Sequence, residues 1–213
     1  MQQFLIIAAA HFLALLSPGP DFFLVARTSL RAGWRLASGA CLGIAVANGV
    51  FILIAFAGLS ALRPGSALFV GLQLVGCLYL LYLGWLFLVH AGKSDLQVMD
   101  GVQAPRGAAA GAASWLRAMG MGFLSGILNP KNALFYASLA AMLTGAQTSA
   151  GWKLFYGVWM FSVVLLWDLL VAMCIGNAAV LRRFARALPW LERVSGAVLI
   201  LFALGVIVLL VVR

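Results

Sequence analysis

The chain is written as long apolar runs separated by short polar connections. A bilayer core about 30 Å thick needs roughly 20 apolar residues in a helix. Six runs meet that length: Phe4–Ala26, Leu36–Leu62, Ala67–Val89, Ala118–Leu143, Trp152–Ile175 and Val194–Val212. The first is read as a span and not as a signal peptide. Met1–Gln3 carries no Lys or Arg, Ala8-Ala9-Ala10 comes too early for a cleavage site, and apolar character resumes after Asp21. The pattern predicts an all-α integral membrane protein with a single transmembrane domain over residues 1–213.

Composition agrees with the pattern. Of 213 residues 65% are hydrophobic and 9% charged, and the mean hydropathy is +1.09. These values exclude disorder, a coiled coil and a disulfide framework, and they argue against a water-soluble globule. Charge adds an orientation. There are 14 Lys+Arg against 5 Asp+Glu, a net +9. The connections after spans 1, 3 and 5 hold ten of the cations: Arg27, Arg31, Arg35, Lys93, Arg106, Arg117, Arg182, Arg183, Arg186 and Arg193. The opposite side holds three, Arg63, Lys153 and Arg213, and the last, Lys131, lies inside a span. Such a bias over short loops places the basic loops in the cytoplasm and both termini outside. Trp34, Trp115, Trp152 and Trp190 stand at span ends, where an amphipathic ring prefers the interface. The basic excess is therefore topology, and no nucleic-acid partner is expected.

Arg27, Arg31 and Arg35 are four apart, so they form one stripe if span 1 continues as a helix. They are read as snorkelling cations that fix topology, the alternative being a headgroup or substrate-exit stripe. Gly92–Ala113 is rich in Gly, Ala and polar residues without periodicity, and reads as a cytoplasmic linker between two halves of three spans.

An odd number of spans per half means that repeated halves enter the membrane in opposite directions. The first span of each half shares a feature. Span 1 is interrupted by Ser17-Pro18-Gly19-Pro20-Asp21 and span 4 by Asn129-Pro130-Lys131-Asn132, each about halfway along. Proline removes a backbone donor and clashes with the preceding turn, so each span is expected as two half-helices. Ser17-Pro18 and Asn129-Pro130 each set an N-cap residue before a proline, the preferred start of a new helix. The two second half-helices would then meet at the midplane with their N–H groups and positive dipole ends turned toward one another. Paired interruptions at membrane depth are the best sequence pointer to a transporter substrate site. The fold expected is six transmembrane helices as a 3+3 inverted repeat with spans 1 and 4 broken.

The segments LSPGPDFFLVARTSLRAGWRLASGACLGIAVANGV (Leu16–Val50) and GFLSGILNPKNALFYASL (Gly122–Leu139) resemble the two signatures of the LysE/RhtB amino-acid exporter family. The length, the span count and the linker are similar as well, so the resemblance covers essentially the whole chain. It implies a bacterial inner-membrane exporter of amino acids or close derivatives, driven by an ion gradient and with both termini periplasmic. By position it implies functional roles for Pro18, Gly19, Pro20, Asp21, Asn129, Pro130 and Lys131. Two departures are visible: Asn48 stands where many members have Asp, and Ala140–Gly145 lacks a common Pro-Gln.

Apart from the resemblance, Asp21, Lys131 and Asp168 are formal charges inside spans. Such residues cost about 2.5–3.5 kcal/mol at a helix centre, so each needs a partner or a purpose. An amino-acid zwitterion supplies both signs. Its carboxylate is expected to meet the half-helix N-termini and Lys131, and its ammonium Asp21 or Asp168. A carboxyl group in a low-dielectric cavity can alternate between protonated and ionised forms, which makes Asp21 and Asp168 the proton-coupling candidates. With Ser17, Pro18, Gly19, Pro20, Asn48, Asn129 and Pro130 they complete the expected substrate site. Asp21 can alternatively serve as a first-turn dipole partner. Lys131 can snorkel, and Asp168 can pair with an Arg of the following loop. Asn48 can make a hydrogen bond across helices instead of lining a cavity.

His11 and His90 have no matched acidic or Cys neighbours and read as a packed and an interfacial residue. Gly39-x3-Gly43 and Gly122-x3-Gly126 read as close-packing stripes. Cys41, Cys77 and Cys174 each stand alone, so redox, metal and cofactor chemistry find no support. An intramembrane serine protease would need a His base that the last span lacks, and Ser125 precedes the break. A thiol-disulfide carrier would need paired cysteines. The remaining rival is a divalent-metal exporter of cadmium type, which would want more intramembrane carboxylates or imidazoles. The expected partners are a small amino-acid substrate and the lipid bilayer, and a homo-oligomer is compatible with the pattern.

Overall fold

A computed structural model of the chain describes residues 2–16, 19–60, 66–92, 112–144, 149–175 and 178–211. Every element among them is a helix: α1 (Gln2–Leu16), α2 (Pro20–Ala32), α3 (Trp34–Ser60), α4 (Ala67–His90), α5 (Ala112–Ile127), α6 (Pro130–Thr144), α7 (Ala150–Ile175) and α8 (Ala178–Val211). Four of these are long and apolar enough to cross a membrane over Trp34–Ala57, Gln73–His90, Ala150–Ile175 and Arg186–Val208. The pair α1–α2, bent by 54° at its break, makes a fifth candidate crossing. Large apolar side chains face outward along these helices; Leu53 and Leu154 are each 70% exposed and Leu201 69%. In water that surface would drive association, whereas in hydrocarbon it is the solvated face. The protein is a multi-pass membrane protein.

Local chemistry sets the breaks. The first half-helix of span 1 ends at Leu16, and α2 starts at Pro20 with Gly19 as an extended N-cap. The new helix therefore begins two residues later than the Ser17-Pro18 pair suggests, because Pro20 equally lacks an N–H at the first helical position and Asp21 follows in the favoured first turn. Ser17 and Pro18 themselves lie outside the described residues. At the second break Asn129 caps α6 as its sequence predicts: Asn129 Oδ1 accepts the Lys131 N–H at 3.1 Å, and Pro130 is the first helical residue.

Two expectations about the basic loops change. Span 1 does not carry Arg27, Arg31 and Arg35 on one stripe. Gly33, with φ of 83°, ends α2 by donating its N–H to Ser29 O at 2.9 Å, and Arg35 belongs to α3, its guanidinium over the Trp34 ring. A side chain at position 33 would be strained in that left-handed conformation. The connection before span 6 is likewise mostly helix, since α8 starts at Ala178 and runs through Pro189. Within it the buried Glu192 accepts the Gly92 N–H at 2.8 Å, which ties the end of α4 to α8. The rest of the expected linker, residues 93–111, lies outside the described residues.

Both small-residue stripes pack, and they pack on each other. A Cβ on Gly39 would lie 2.6 Å from Trp115 O, and one on Gly43 would run into Met119 O. From the other side, a Cβ on Gly122 would run into Ala40 O and one on Gly126 would lie 2.7 Å from Ala47 Cβ. The α3 and α5 backbones are thus in contact along two turns, and Trp115 Nε1 donates to Ser38 Oγ at 3.0 Å beside them. Gly43→Ala and Gly122→Ala should each cost about 1–3 kcal/mol of overpacking and lower the melting temperature in detergent by several degrees. Gly120→Ala, on the open face of α5, meets nothing within 4 Å and should leave it unchanged. Equal melting of all three would remove the backbone contact as a source of stability.

Two apolar clusters frame the interior. One joins Ile7, Leu80, Phe135, Met160 and Leu199; the other joins Val25, Ile44, Val164 and Leu188. A polar cavity draws its wall from both.

Candidate substrate site

Asp21 holds the two breaks together. Its Oδ1 accepts Ser125 Oγ at 2.6 Å, and its Oδ2 accepts Asn132 Nδ2 at 2.8 Å and Asn129 Nδ2 at 3.1 Å. The acceptor sits in the first turn of α2 and the donors flank the α5–α6 break. Ser125, Asn129 and Asn132 are spaced four and three apart, so they form one helical face that continues through the break. A carboxylate with three donors is satisfied on both oxygens.

Further cross-helix bonds fix the elements around this clamp. Ser29 Oγ donates to Ala172 O at 2.5 Å, setting α2 against α7 one turn beyond Asp168. Ser138 Oγ donates to Gly76 O at 3.1 Å, joining α6 to α4. His11 Nε2 and Tyr136 OH, 3.1 Å apart, join α1 to α6. Asp168 itself faces inward by register. Tyr156, Met160, Val164, Asp168 and Ala172 repeat every fourth residue along the buried face of α7.

These groups enclose a cavity of about 50 Å³ whose wall includes Gly19, Asp21, Asn48, Asn129, Lys131 and Asp168. Lys131, in the first turn of α6, brings its ammonium beside the α2 N-cap: a Cβ on Gly19 would lie 3.8 Å from Lys131 Nζ. The ammonium also lies 5.6 Å from the centroid of the Phe87 ring and within electrostatic reach of Asp21 and Asp168. Asp168 contrasts with Asp21. It is 7% exposed, and its Oδ2 is buried with no hydrogen-bond partner among the described residues. No arginine of the following segment pairs with that oxygen there.

Most of the sequence-predicted site thus converges. Gly19, Asp21, Asn48, Asn129, Lys131 and Asp168 share the cavity; Pro20 and Pro130 start the half-helices on either side, and Ser17 and Pro18 are not described. Asn48 lines the cavity while its Nδ2 donates to Ile44 O of its own helix at 2.8 Å, so it makes no bond across helices through that group. Sequence reasoning missed Ser125, Asn132, His11 and Tyr136. The first two carried a signal, the helical spacing with Asn129. The others carried none, because a lone His and a lone Tyr in apolar runs look alike whether they face a cavity or a core. Among the described residues no group of three His, Cys, Asp or Glu side chains converges as for a metal.

Comparison with known proteins extends this geometry. A family model described as LysE type translocator matches residues 12–209. The chain belongs to the LysE type translocator family. LysE relatives cover it nearly end to end. It is 30% identical over 211 residues to the threonine efflux protein of Escherichia coli strain K12, with 98% of each chain covered. It is 28% identical over 216 residues to the threonine efflux protein of Salmonella typhimurium, again with 98% of each covered. A leucine efflux protein of Klebsiella pneumoniae is 30% identical over 125 residues, 58% of this chain and 55% of that one. No solved structure matches the chain significantly. The motifs of both breaks fall inside the matched LysE region.

Proposed function

We propose that the protein exports an amino acid or a close derivative across the bacterial inner membrane by proton antiport. The observation that carries this reading is the meeting of two helix breaks at one polar cavity that holds a bound-up carboxylate, a lysine and a second carboxylate with a free oxygen. Its charges balance. Asp21 and Asp168 contribute two negative charges, Lys131 one positive, and the N-termini of α2 and α6 roughly half a positive charge each. A zwitterion adds no net charge to such a site. Its carboxylate can take the Lys131 ammonium and the half-helix N–H groups, and its ammonium can take the Asp168 carboxylate. The names of the LysE relatives, threonine and leucine efflux proteins, agree with a cargo of this chemistry.

Asp168 is the proton carrier in this scheme. Cargo ammonium and proton compete for one carboxylate, so loading one releases the other and the two move in opposite directions. Asp21 is committed to three donors and fastens the breaks instead. The architecture proposed is six spans in a 3+3 inverted repeat with both termini periplasmic, α1–α2 and α5–α6 being the broken first spans.

The test is efflux from vesicles or cells preloaded with a panel of labelled amino acids, with and without a proton gradient. At least one amino acid is expected to leave faster when the gradient is imposed, and collapsing the gradient should remove that increment. Export of Cd²⁺ and of no amino acid would replace this reading with the metal-exporter one.

A further inference from the structure

The outer face of α8 keeps one register while its chemistry changes along the helix. Arg183, Arg186, Trp190 and Arg193 are exposed on it, at steps of three, four and three residues. Leu201, Leu204 and Val208 continue the exposed face from two turns further on. At 3.6 residues per turn all seven fall within one arc about 80° wide. The opposite face is the buried one, where Leu188, Glu192, Ser195 and Leu199 follow the same spacing. Glu192, the one acid in the α8 sequence, accepts the Gly92 N–H on that buried side.

Depth agrees with the change of chemistry. Counted back from the end of α8 at Val211, a hydrocarbon core of about 30 Å, or roughly 20 residues, reaches to Glu192. Arg183, Arg186 and Trp190 then stand at headgroup level and beyond, and Arg193 at the boundary. Helical side chains lean toward the N-terminus, so Arg193 can turn its guanidinium to the headgroups and lay its stem on the apolar surface. A basic bias that orients a chain in the membrane sets no condition on which helix face carries it. Arg27 and Arg31 lie on α2, and Arg35 beyond the Gly33 turn on α3. Three arginines and an aliphatic track on one arc fit a ligand with an anionic head and apolar tails.

We propose that this face of α8 is a binding site for anionic phospholipid: Arg183, Arg186 and Arg193 take the headgroups, and acyl chains lie along Leu201, Leu204 and Val208. Guanidinium suits the role, because its planar fork matches phosphate oxygens and it is weakly hydrated for a cation. Trp190 stands between the arginines, where an indole settles among headgroups. Ten residues of helix from Arg183 to Arg193 rise about 15 Å, so the arginines act as a row and not as a pocket for one phosphate. The aliphatic end confines the ligand to lipid, since a free phosphate gains nothing from it. This surface lies apart from the cargo cavity, and the inference does not depend on the exporter reading.

The test titrates the purified full chain in detergent with phosphatidylglycerol and, separately, with phosphatidylcholine of the same acyl chains. Native mass spectrometry counts the lipid bound. An arginine near an anionic headgroup is worth about fivefold in affinity, so the wild type should hold phosphatidylglycerol at least about tenfold more tightly. The triple variant Arg183→Gln, Arg186→Gln, Arg193→Gln should bring that ratio close to one. Its melting temperature should not fall, because all three side chains are exposed. The triple variant Arg27→Gln, Arg31→Gln, Arg35→Gln removes the same charge from outside the arc and should keep most of the preference. Glycerol 3-phosphate, a head without tails, should displace no lipid. A wild type that holds both lipids alike would overturn the proposal. So would equal loss in the two triple variants, which would reduce the preference to net charge. Displacement by glycerol 3-phosphate at the lipid's own concentration would make the arginines a free-anion site. A wild-type dimer that dissociates in the α8 variant would assign the face to a second copy of the chain instead.

Discussion

Asp168→Asn is expected to abolish gradient-driven export while leaving the protein as stable as wild type, or more so. The two halves of that expectation come from one observation, a buried carboxylate oxygen with no partner among the described residues. For stability, a buried carboxylate oxygen with no donor is costly, and the amide removes the charge with little change in shape. The melting temperature in detergent should therefore not fall. For transport, the amide can neither carry a proton nor offer a full negative charge to an ammonium. Breaking a buried charge pair costs about 2–5 kcal/mol, which is roughly a 30-fold to several-thousand-fold loss of cargo affinity at 1.4 kcal/mol per tenfold. Proton-driven efflux should drop to background as a result. Wild-type efflux by Asp168→Asn would remove this residue from the mechanism, and a large loss of melting temperature would make it a structural anchor.

Asp168 was legible in advance as a charge inside an apolar run. Its inward register with Tyr156, Met160, Val164 and Ala172 came only from the fold, because the helix is apolar on its outer faces as well. The breaks were legible for a similarly local reason, since proline acts on its own turn. Asn129-Pro130 gave the start of α6 correctly. At the first break two prolines stood two residues apart, and local rules alone did not choose between them; the helix starts at Pro20. The turn at Gly33 was missed because periodic arginines suggested continuity, and a single glycine outweighed them. What the sequence could not supply was partnership across the fold. Asp21 and Asp168 look alike as isolated acids in spans. Their difference lies in Ser125, Asn129 and Asn132, more than 100 positions away from Asp21 and brought to it by the α3–α5 backbone contact. The His11–Tyr136 pair, 125 positions apart, was hidden in the same way.

That difference gives the second large effect. Asp21→Ala removes the acceptor of three donors and strands them near the breaks, which should cost about 3 kcal/mol or more at 1–3 kcal/mol per stranded group, lower the melting temperature by several degrees and reduce export with it. Asp21→Asn separates clamp from charge. Its carbonyl oxygen can replace Oδ2 and accept both Asn129 and Asn132, while its amide can replace Oδ1 and donate to the Ser125 hydroxyl, which accepts as readily as it donates. All contacts then survive without the charge, so Asp21→Asn should melt within a few degrees of wild type and keep gradient-driven efflux to within about tenfold, the worth of 1.4 kcal/mol. Set beside Asp168→Asn, it forms a clean contrast: the same chemical change at two acids in one cavity, tolerated where the oxygens are already bound and fatal where one has no donor. Loss of coupled efflux in Asp21→Asn, with its melting temperature intact, would transfer the proton from Asp168 to Asp21. The fastening of the two breaks would then itself be made and released by the transported proton.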